Sequence, residues 1–537
     1  MKYPFISILT LTLLLLANIF AGSGDSSMVK TEFVPDWAKD AVWYQIFPER
    51  FHNGNRNNDP KIENLKGAYP HDITSPWEIH PWGSDWYELQ PYEKKNGKDI
   101  WFNLQRRRYG GDLQGVIDKL GYIKDLGINA IYLNPVFQSP SLHKYDGISF
   151  HHVDPNFGND PEADSELISS ELFDDPTTWK WTNADKLVLE LIQKAHKLGI
   201  RVIFDGVFNH MGISSIPFVD VVKNQEKSRF KNWFSIRSFE NKEKGTKFEY
   251  DGWFGVKELP EIKEDENGIV AEPKKYIFDI TKRWMDPNGD GDPSDGIDGW
   301  RLDVAFCIKH PFWKDWRSHV KSTNSQAYLT AQVIDPINVI EPYLQGDEFD
   351  AVMNYNFGFA CADFILAEKT RISASEFDEK LAELRSAFPG GVEYVQQNLF
   401  GSHDANRIAS HAMNADLGRY GDWGKWFGLS KADNGKYNPA KPTEPAWKKQ
   451  KLFAILQMTY VGAPMIYYGD EVGMWGANDP DCRKPMVWDD IEYQPEIYNP
   501  NGTKRPAPED VKVNSGLREH YKKLIGIRNA HPSLRRG

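Results

Sequence analysis

The chain has 537 residues and a formal net charge of −12, with 64 lysines and arginines against 76 aspartates and glutamates. This acidic surplus repels phosphate, so the composition argues against a nucleic-acid partner and favours a neutral, polar one. Only three cysteines occur and they are widely spaced, which argues against a disulfide framework and indicates buried thiols.

The chain begins with a segment typical of a secretory signal. Lys2 precedes an apolar run from Phe5 to Phe20, and small residues follow it. The run is shorter than the ~20 residues that a spanning helix needs. We therefore predict a signal over residues 1–22 and export to the periplasm or the medium, with an uncleaved anchor as the lesser alternative. No later stretch is long and apolar enough to predict a membrane span.

Apolar, β-branched runs then alternate with longer helical patterns, which is typical of a parallel sheet covered by helices. Helices are predicted between the runs, for example over 112–126 and 185–198. Eight parallel strands close a barrel, so we predict an α/β fold of the (β/α)8 TIM-barrel class. The eight predicted strands are 41–47, 129–134, 201–208, 296–304, 327–333, 351–357, 394–400 and 464–468.

Two long segments interrupt this alternation. Residues 135–181 follow the second strand and are too long for an ordinary loop, so they are assigned to an inserted subdomain. A second insertion is predicted over roughly 214–282, with its charge runs at the surface. The barrel is thereby divided into residues 36–134 and 182–530, and residues 531–537 would begin a further C-terminal region.

Polar side chains that could take part in catalysis stand at the ends of four predicted strands. Three of these segments are 205–210 (DGVFNH), 299–303 (GWRLD) and 402–404 (SHD), and the fourth ends on Gln332. Strand C-terminal ends carry catalysis in such barrels. Retaining glycosidic cleavage needs two carboxyl groups ~5–5.5 Å apart, which neighbouring strand ends can supply. Each segment alone would fit a buried ion pair or a turn, but all four in order favour a sugar-cleaving site.

From Asp40 onward these motifs resemble those of the α-amylase family, glycoside hydrolase family 13. Residues 299–305 (GWRLDVA) and 259–261 (LPE) are closest to its neopullulanase, cyclomaltodextrinase and maltogenic amylase branch. The resemblance implies a retaining hydrolase of α-1,4 bonds in maltooligosaccharides, starch, cyclodextrins or pullulan. Its nucleophile would be Asp303 and its transition-state stabiliser Asp404.

The resemblance also assigns substrate-binding roles around these two carboxylates. Arg301 is expected to keep Asp303 ionised by charge-assisted hydrogen bonding. Arg407, three residues after Asp404, is expected to pair with it. The residues assigned to substrate binding are His143, Tyr145, Asp205, Asn209, His210, Arg301, His403 and Arg407.

Position 332 departs from the family pattern, because Gln332 stands where the family has the glutamate that acts as general acid and base. An amide has nearly the same shape but no acidic proton. General acid catalysis is worth ~10²–10⁴ in rate, so substrate should bind while turnover nearly disappears. Glu341 or Glu348 as a substitute acid is disfavoured, since both lie beyond the strand end. The alternatives are a catalytically inactive α-glucan-binding protein and an α-glucan transglycosylase.

Two loops are rich in the hard oxygen ligands that suit Ca²⁺. The first is the loop from Phe51 to Asp59, completed by residues 109–112, and the alternative for it is an Asn-rich turn capped by its own side chains. By the family resemblance its ligands are Asn53, Asn55, Asn58, Asp59, the carbonyl of Gly110, and Asp112.

The second acidic loop has oxygen side chains at alternate positions, in the manner of an EF-hand, but Ile297 occupies the place of the usual final glutamate. A second calcium and a plain surface turn both remain open there. The candidate ligands are Asp286, Asn288, Asp290 and Asp292.

Members of this branch often carry an N-terminal β-sandwich used in dimerisation, and the family usually ends in an antiparallel β domain. The first predicted strand follows soon after the signal, so we expect the sandwich to be absent and leave the oligomeric state open. The chain ends shortly after the last barrel helix, so we expect the C-terminal β domain to be truncated.

Overall fold

The computed structural model describes residues 32–537, so the predicted signal over 1–22 lies outside the described residues. Eight parallel strands close into a barrel in which the first strand pairs with both the second and the last. This confirms the predicted (β/α)8 fold. The strands are β1 Trp43–Ile46, β2 Ala130–Leu133, β3 Arg201–Gly206, β4 Gly299–Leu302, β5 Tyr328–Ala331, β6 Ala351–Asn354, β7 Gln397–Asn398 and β8 Ala463–Tyr467.

All eight predicted strands are found, and nearly every strand residue is buried, as expected for a parallel sheet covered on its outer face. Most observed strands are shorter than predicted, because the chain leaves the sheet where it enters loops at the rim. The sixth strand shows one cause. Its predicted last residues, 355–357, begin a helix instead, since the Asn354 side chain accepts a hydrogen bond from the Phe357 amide at 3.2 Å and caps that helix.

Helices form the outer layer, and both predicted examples are confirmed. The helices that follow the strands are Leu113–Asp118 and Leu120–Leu126 after β1, Asn183–Lys197 after β2, Ala271–Met285 after β3, His310–Thr323 after β4, Ile337–Ile340 after β5, Tyr355–Cys361 and Ala374–Ser386 after β6, Glu444–Thr459 after β7, and Ser515–Ala530 after β8. The other α-helices are Pro91–Lys94, Ile100–Arg106, Pro161–Ser169, Ile216–Asn224, Val392–Val395, Ile408–Asn414, Trp423–Leu429 and Ser533–Arg536.

The segment 135–181 lies between β2 and its helix and carries the helix Pro161–Ser169. It is attached to the barrel through a buried histidine. His152 Nδ1 lies 2.8 Å from Asp185 Oδ2 on the helix that follows β2, and its Nε2 lies 2.7 Å from Glu171 Oε2 within the segment.

The second insertion ends earlier than predicted. It contains two small hairpins, Ile236–Ser238 with Glu249–Tyr250 and Glu264–Asp265 with Gly268–Ile269. The helix Ala271–Met285, which was included in the predicted insertion, is the barrel helix after β3. One face of this helix is apolar and buried, and its charged residues lie on the opposite face. This pattern is typical of a helix in the outer layer of the barrel.

A third long excursion, between β1 and its helix, was not predicted. It contains the helices Pro91–Lys94 and Ile100–Arg106, and its aromatic residues form a small separate core. Trp86 and Tyr109 stack there and pack with Tyr437 from the loop after β7. Across residues 32–537, no helix combines the length and the apolar character needed to cross a membrane.

Candidate active site

The centre of the site is the guanidinium of Arg301, at the inner face of β4. Its Nη1 donates to Asp205 Oδ1 at 2.7 Å and to Asp303 Oδ1 at 2.9 Å, while its Nη2 donates to the Gln332 side-chain oxygen. The register of strands β3 and β4 explains the contact between Arg301 and Asp205, because these two residues are direct neighbours across the strands. The end of β5 is the next strand end along, so three predicted site residues converge on one cation.

Asp404, after β7, faces Gln332 across the barrel mouth. The Gln332 Nε2 donates to Asp404 Oδ2 at 3.2 Å. The other carboxylate oxygen of Asp404 accepts from Arg483 Nη2 at 3.3 Å. Arg483 also donates from Nε to the backbone oxygen of His403 at 2.7 Å, which positions the Ser-His-Asp segment.

The predicted pairing of Arg407 with Asp404 is wrong. Arg407 is fully buried, and its Nη1 donates to Asp470 Oδ1 and to the backbone oxygen of Tyr468, both at 2.8 Å. It therefore joins the loops after β7 and β8 beneath the rim. The cation beside Asp404 is Arg483, which sequence reasoning missed because it follows Asp404 by 79 residues and stands in no recognised motif.

Tyr145, contributed by the inserted subdomain, closes the floor of the site. Its hydroxyl lies 2.8 Å from Asp205 Oδ2 and 2.6 Å from His403 Nε2. The rings of Tyr145 and His403 are stacked, with centroids 5.2 Å apart and planes inclined by 10°. Two further partners were not predicted: Gln45 Nε2 donates to His403 Nδ1 at 2.9 Å, and the Tyr132 hydroxyl donates to Asp205 Oδ2 at 2.5 Å.

The remaining predicted polar residues lie on the side of the second insertion. His210 Nε2 is 3.1 Å from the backbone oxygen of Tyr145, and a β-bridge to Glu261 holds its backbone. The Asn209 side chain donates from Nδ2 to the backbone oxygen of Cys307 at 3.5 Å, and its Oδ1 lies 3.2 Å from His210 Nδ1. His143 lines an adjoining cavity of about 280 Å³ that also includes Leu259.

Burial controls the charge of these groups. It lowers the pKa of His143 and His210 to about 4 and that of His403 to about 3, so all three are neutral near pH 7. Burial raises the pKa of Asp303 to about 7 despite Arg301, and Asp205 and Asp404 add to the rise. Arg301 donates the expected charge-assisted hydrogen bond and favours the ionised form of Asp303, but burial outweighs this effect and the pKa is raised.

Asp404 behaves differently from Asp303. Burial alone would raise its pKa, but the neighbouring His403 and Arg483 outweigh that effect and the pKa falls below its usual value. Asp404 is therefore ionised near neutral pH.

The structure places neither candidate substitute acid in this cluster. Glu348 is buried and pairs with His310, 2.9 Å from its Nδ1. Glu341 begins a short 3-10 helix after β5 and is exposed. Within residues 32–537, the polar contacts of Arg301 and Asp404 include no glutamate.

The first candidate calcium loop brings Asn53, Asp59 and Gly110 into contact. Asn53 Nδ2 donates to Asp59 Oδ1 at 2.7 Å, and Gly110 lies against both of these side chains with a φ of +77°. The side-chain oxygens of Asn53 and Asn58 are buried without a hydrogen-bond partner among the described residues. Burial also raises the pKa of Asp59. Uncompensated oxygens of this kind fit a hard cation.

Asp112 and Asn55 accept hydrogen bonds from backbone amides in and beside the same loop. Asp112 caps the helix Leu113–Asp118 by accepting from the Gly115 amide at 2.6 Å, and it also accepts from the amides of Gly54 and Asn55. The Asn55 side-chain oxygen accepts from the Asn57 amide at 3.1 Å.

The second acidic loop has the contacts of a turn. The oxygens of Asn288, Asp290 and Asp292 each accept from the backbone amide two residues later, at 2.8, 2.7 and 3.0 Å. Asp286 accepts a longer contact of 3.4 Å from Gly291. These carboxylates are not among the described groups whose ligand atoms converge. The geometry favours the surface-turn alternative over a second calcium.

A closed (β/α)8 barrel with buried carboxylates and a shared arginine at its strand ends defines a barrel of the glycoside hydrolase class. Residues 45–171, 181–420 and 438–537 match the catalytic domain of alpha-amylase. The chain therefore belongs to the alpha-amylase family.

Its relatives include a cyclomaltodextrinase of Geobacillus thermopakistaniensis, 36% identical over 94% of this chain and 64% of that protein. Neopullulanase 2 of Thermoactinomyces vulgaris is 34% identical over 94% of this chain and 65% of that protein. The chain thus spans slightly less than two thirds of the length of these two relatives. Among solved structures, the cyclic alpha-maltosyl-(1→6)-maltose hydrolase of Arthrobacter globiformis has a TM-score of 0.66 and 29% identity, covering 94% of this chain and 86% of that one.

Proposed function

We propose that the protein is an α-glucan hydrolase of the cyclomaltodextrinase and neopullulanase type whose turnover is limited by Gln332. The observation that carries this proposal is the contact of Arg301 with Asp205, Asp303 and Gln332 together. Three side chains from adjacent strand ends share one cation, and Asp404 completes the group through the Gln332 amide. The named activities of the relatives support the substrate class.

In the proposed reaction Asp303 attacks the anomeric carbon and the glycosidic bond breaks, leaving a glycosyl ester on Asp303. The departing oxygen needs a proton from position 332, and water must later be deprotonated there. Gln332 can do neither, because its amide is not appreciably acidic or basic at neutral pH. The first step is then slow, while the substrate still binds.

The surrounding groups would bind the substrate and stabilise the charge that develops on it. Asp404 stays ionised and would stabilise the positive charge that develops on the sugar ring. The neutral imidazoles of His210 and His403 would bind hydroxyls without adding a charge. Tyr145 would stack against the reacting sugar through its aromatic face.

The test is the turnover of maltoheptaose and a cyclodextrin by the chain and by its Gln332→Glu variant. We expect the variant to gain ~10²–10⁴ in rate, because general acid catalysis is restored. The double variant Gln332→Glu/Asp303→Asn is the matched control and should lose the gain. No gain with unchanged substrate binding would overturn the hydrolase assignment.

That last result would favour the second candidate, a catalytically inactive α-glucan-binding protein, which Gln332 itself supports. A third candidate is a transglycosylase, since transfer to a sugar shares the first step with hydrolysis. Product analysis of the Gln332→Glu variant at high acceptor concentration separates transfer from hydrolysis.

We also propose that the loop of Asn53, Asn58 and Asp59 holds one Ca²⁺, with the Gly110 carbonyl as a further ligand. The buried oxygens of Asn53 and Asn58 that lack partners among the described residues support this assignment. The ion would join the β1 loop to the segment 109–112 and so stabilise the rim on that side. It has no part in the chemical steps.

A further inference from the structure

The chain makes a sharp turn at Lys144, one residue before Tyr145 enters the site. Lys144 has a φ of +60°, in the left-handed region that residues with a Cβ seldom occupy. The turn is closed on both sides of Lys144. Its own amide donates to Ser141 Oγ at 2.9 Å, and the Tyr145 amide donates to His143 Nδ1 at 3.1 Å. The path of the backbone into Tyr145 therefore depends on an unfavourable conformation at Lys144.

A buried ion pair holds Lys144 in this conformation. Its Nζ donates to Asp154 Oδ2 at 2.8 Å and to the backbone oxygen of Ser139 at 3.2 Å. The same ammonium lies 4.7 Å from the centroid of the Phe157 ring. Lys144 is 7% exposed and Asp154 is 4% exposed. Lysines are almost never this buried unless they are paired, so the pair with Asp154 fixes the side chain.

Asp154 is itself held by the backbone around it. Its Oδ1 accepts from the Asn156 amide at 3.0 Å and so caps the 3-10 helix Pro155–Phe157. Its Oδ2 also accepts from the Ser139 amide at 3.0 Å. The Asn156 side chain donates to the backbone oxygen of Asn58, in the loop after β1, at 3.1 Å. The partner of Lys144 is therefore connected to the barrel and provides a fixed support.

The position of the Tyr145 hydroxyl is the feature that depends on this support. Besides its contacts with Asp205 and His403, the hydroxyl accepts from Asn134 Nδ2 at 2.9 Å. These three partners come from β3 and from the segments after β7 and β2, and hydrogen bonds to all of them need one accurate position. Among residues 32–537, the hydrogen bonds and ion pairs of the Lys144 ammonium are those with Asp154 and Ser139. Lys144 can influence the site only through the backbone.

We propose that Lys144 is a positioning residue for substrate binding, and that its ion pair with Asp154 holds the left-handed turn that places Tyr145 in the site. The inference rests on the proposed α-glucan function, in which Tyr145 stacks against the reacting sugar. Lys144 touches no substrate and acts through Tyr145. Its removal should therefore weaken sugar binding only while the Tyr145 ring is present.

The experiment measures the affinity of maltoheptaose by calorimetry for the chain with Gln332, which should bind without appreciable turnover. The variant Lys144→Met/Asp154→Asn removes both charges of the pair, so no buried charge is left uncompensated. We expect binding about five- to tenfold weaker, as for the loss of an aromatic contact. Tyr145→Ala should weaken binding at least as much. Adding Lys144→Met/Asp154→Asn to Tyr145→Ala should cause no further loss of affinity, because the two changes affect one contact.

A second variant and a control separate positioning from general stability. Lys144→Gly/Asp154→Asn tolerates the turn best, since glycine adopts a positive φ without steric cost, and it should also bind more weakly because nothing then fixes the turn. Lys321→Met is the matched control. Lys321 pairs with the buried Asp350 at 3.0 Å, directly before β6 and therefore at the end of the barrel opposite the site. It should lower the free energy of unfolding without changing maltoheptaose affinity.

Unchanged affinity in either variant without the ion pair would overturn the inference while leaving the proposed function intact. A further loss of affinity on top of Tyr145→Ala would also overturn it, because the pair would then act independently of Tyr145. An equal loss in Lys321→Met would do the same, since general destabilisation would explain the effect. Absence of maltoheptaose binding by the unsubstituted chain would overturn the proposed function and the inference together.

Discussion

The amide of Gln332 lies 3.2 Å from the carboxylate of Asp404, and the carboxylate is the acceptor. A carboxylic acid at position 332 would face Asp404 at similar distance. Two carboxylates this close do not ionise independently, so the neighbouring charge raises the pKa of one of them. Asp404 is already stabilised as an anion by Arg483. The family's glutamate would therefore be the one held protonated at this position, which suits a general acid.

The Gln332→Glu variant should show a pH-dependent rate. Only ionised Asp303 attacks, and its pKa in this site is raised to about 7, so kcat/KM should rise as the pH increases through that region. At higher pH the introduced carboxyl loses its proton and the rate should fall. The measurement is kcat/KM for maltoheptaose between pH 5 and 9. A rate that is constant across this range would contradict the assigned roles, because both groups must titrate.

Arg301 should be needed for both folding stability and turnover. Removing one partner of a buried ion pair typically costs ~3–5 kcal/mol, since the other charge is left uncompensated. Arg301→Met would leave Asp205 and Asp303 without their shared cation. We expect denaturant titration to report a loss of that order, and turnover in the Gln332→Glu background to disappear. Lys194→Met, which removes one partner of an ion pair whose two side chains are both exposed, is the control and should change stability by less than ~1 kcal/mol.

His152 should make stability depend on pH. Burial by itself lowers the pKa of His152, but Asp185 and Glu171 outweigh burial and raise it above the usual value. Arg283 also contacts Asp185, at 3.3 Å, and His151 lies beside Glu171. A raised folded-state pKa means that the stabilisation is fully present below ~6.5, the pKa in the unfolded chain, and is lost as the pH rises through the folded-state value.

The melting temperature of the chain, compared with that of His152→Gln at each pH, tests this. The difference between the two proteins should be largest near pH 6 and should shrink as the pH increases. A difference that grows with pH would show that His152 is neutral in the folded protein. His520→Gln removes a partly buried histidine that contacts only the backbone oxygen of Lys451, and it serves as the control.

Calcium should stabilise the chain through the first loop. A ligand that binds only the folded state at 100 times its Kd adds about 2.7 kcal/mol. We expect chelation with EDTA to lower the melting temperature, and Ca²⁺ to restore it better than Mg²⁺. Asn53→Ala and Asp59→Ala should abolish the response. Asn288→Ala, in the second acidic loop, should retain the response. If Asn288→Ala loses the response instead, the ion binds in the second loop and the assignment to the first loop is wrong.

Much of the fold could be predicted because its signals are local. Most strands are short, largely apolar runs, with the polar β7 as the exception. The outer helices that begin at Leu113 and Asn183 each have a capping residue at their start, Asp112 and Thr182. The predicted element bounds are wrong where the local sequence pattern conflicts with tertiary packing. The helix Ala271–Met285 has a charged outer face, and only its buried inner face reveals that it belongs to the barrel.

The sequence by itself determined which chemical groups stand at the ends of β3, β4, β5 and β7, since each follows directly from a strand that any parallel barrel orients the same way. It also identified Gln332, because a change of residue type is visible without coordinates.

Only the tertiary structure decided how the charges are shared. Arg483 forms an ion pair with Asp404 and Arg407 forms one with Asp470, although the proximity of Arg407 to Asp404 in the sequence predicted that those two would pair. The single guanidinium of Arg301 contacts two buried aspartates, and burial raises the pKa of Asp303 to about 7 despite this contact. Charge pairing depends on distance in space and on burial, and neither quantity can be read from the spacing of residues along the chain.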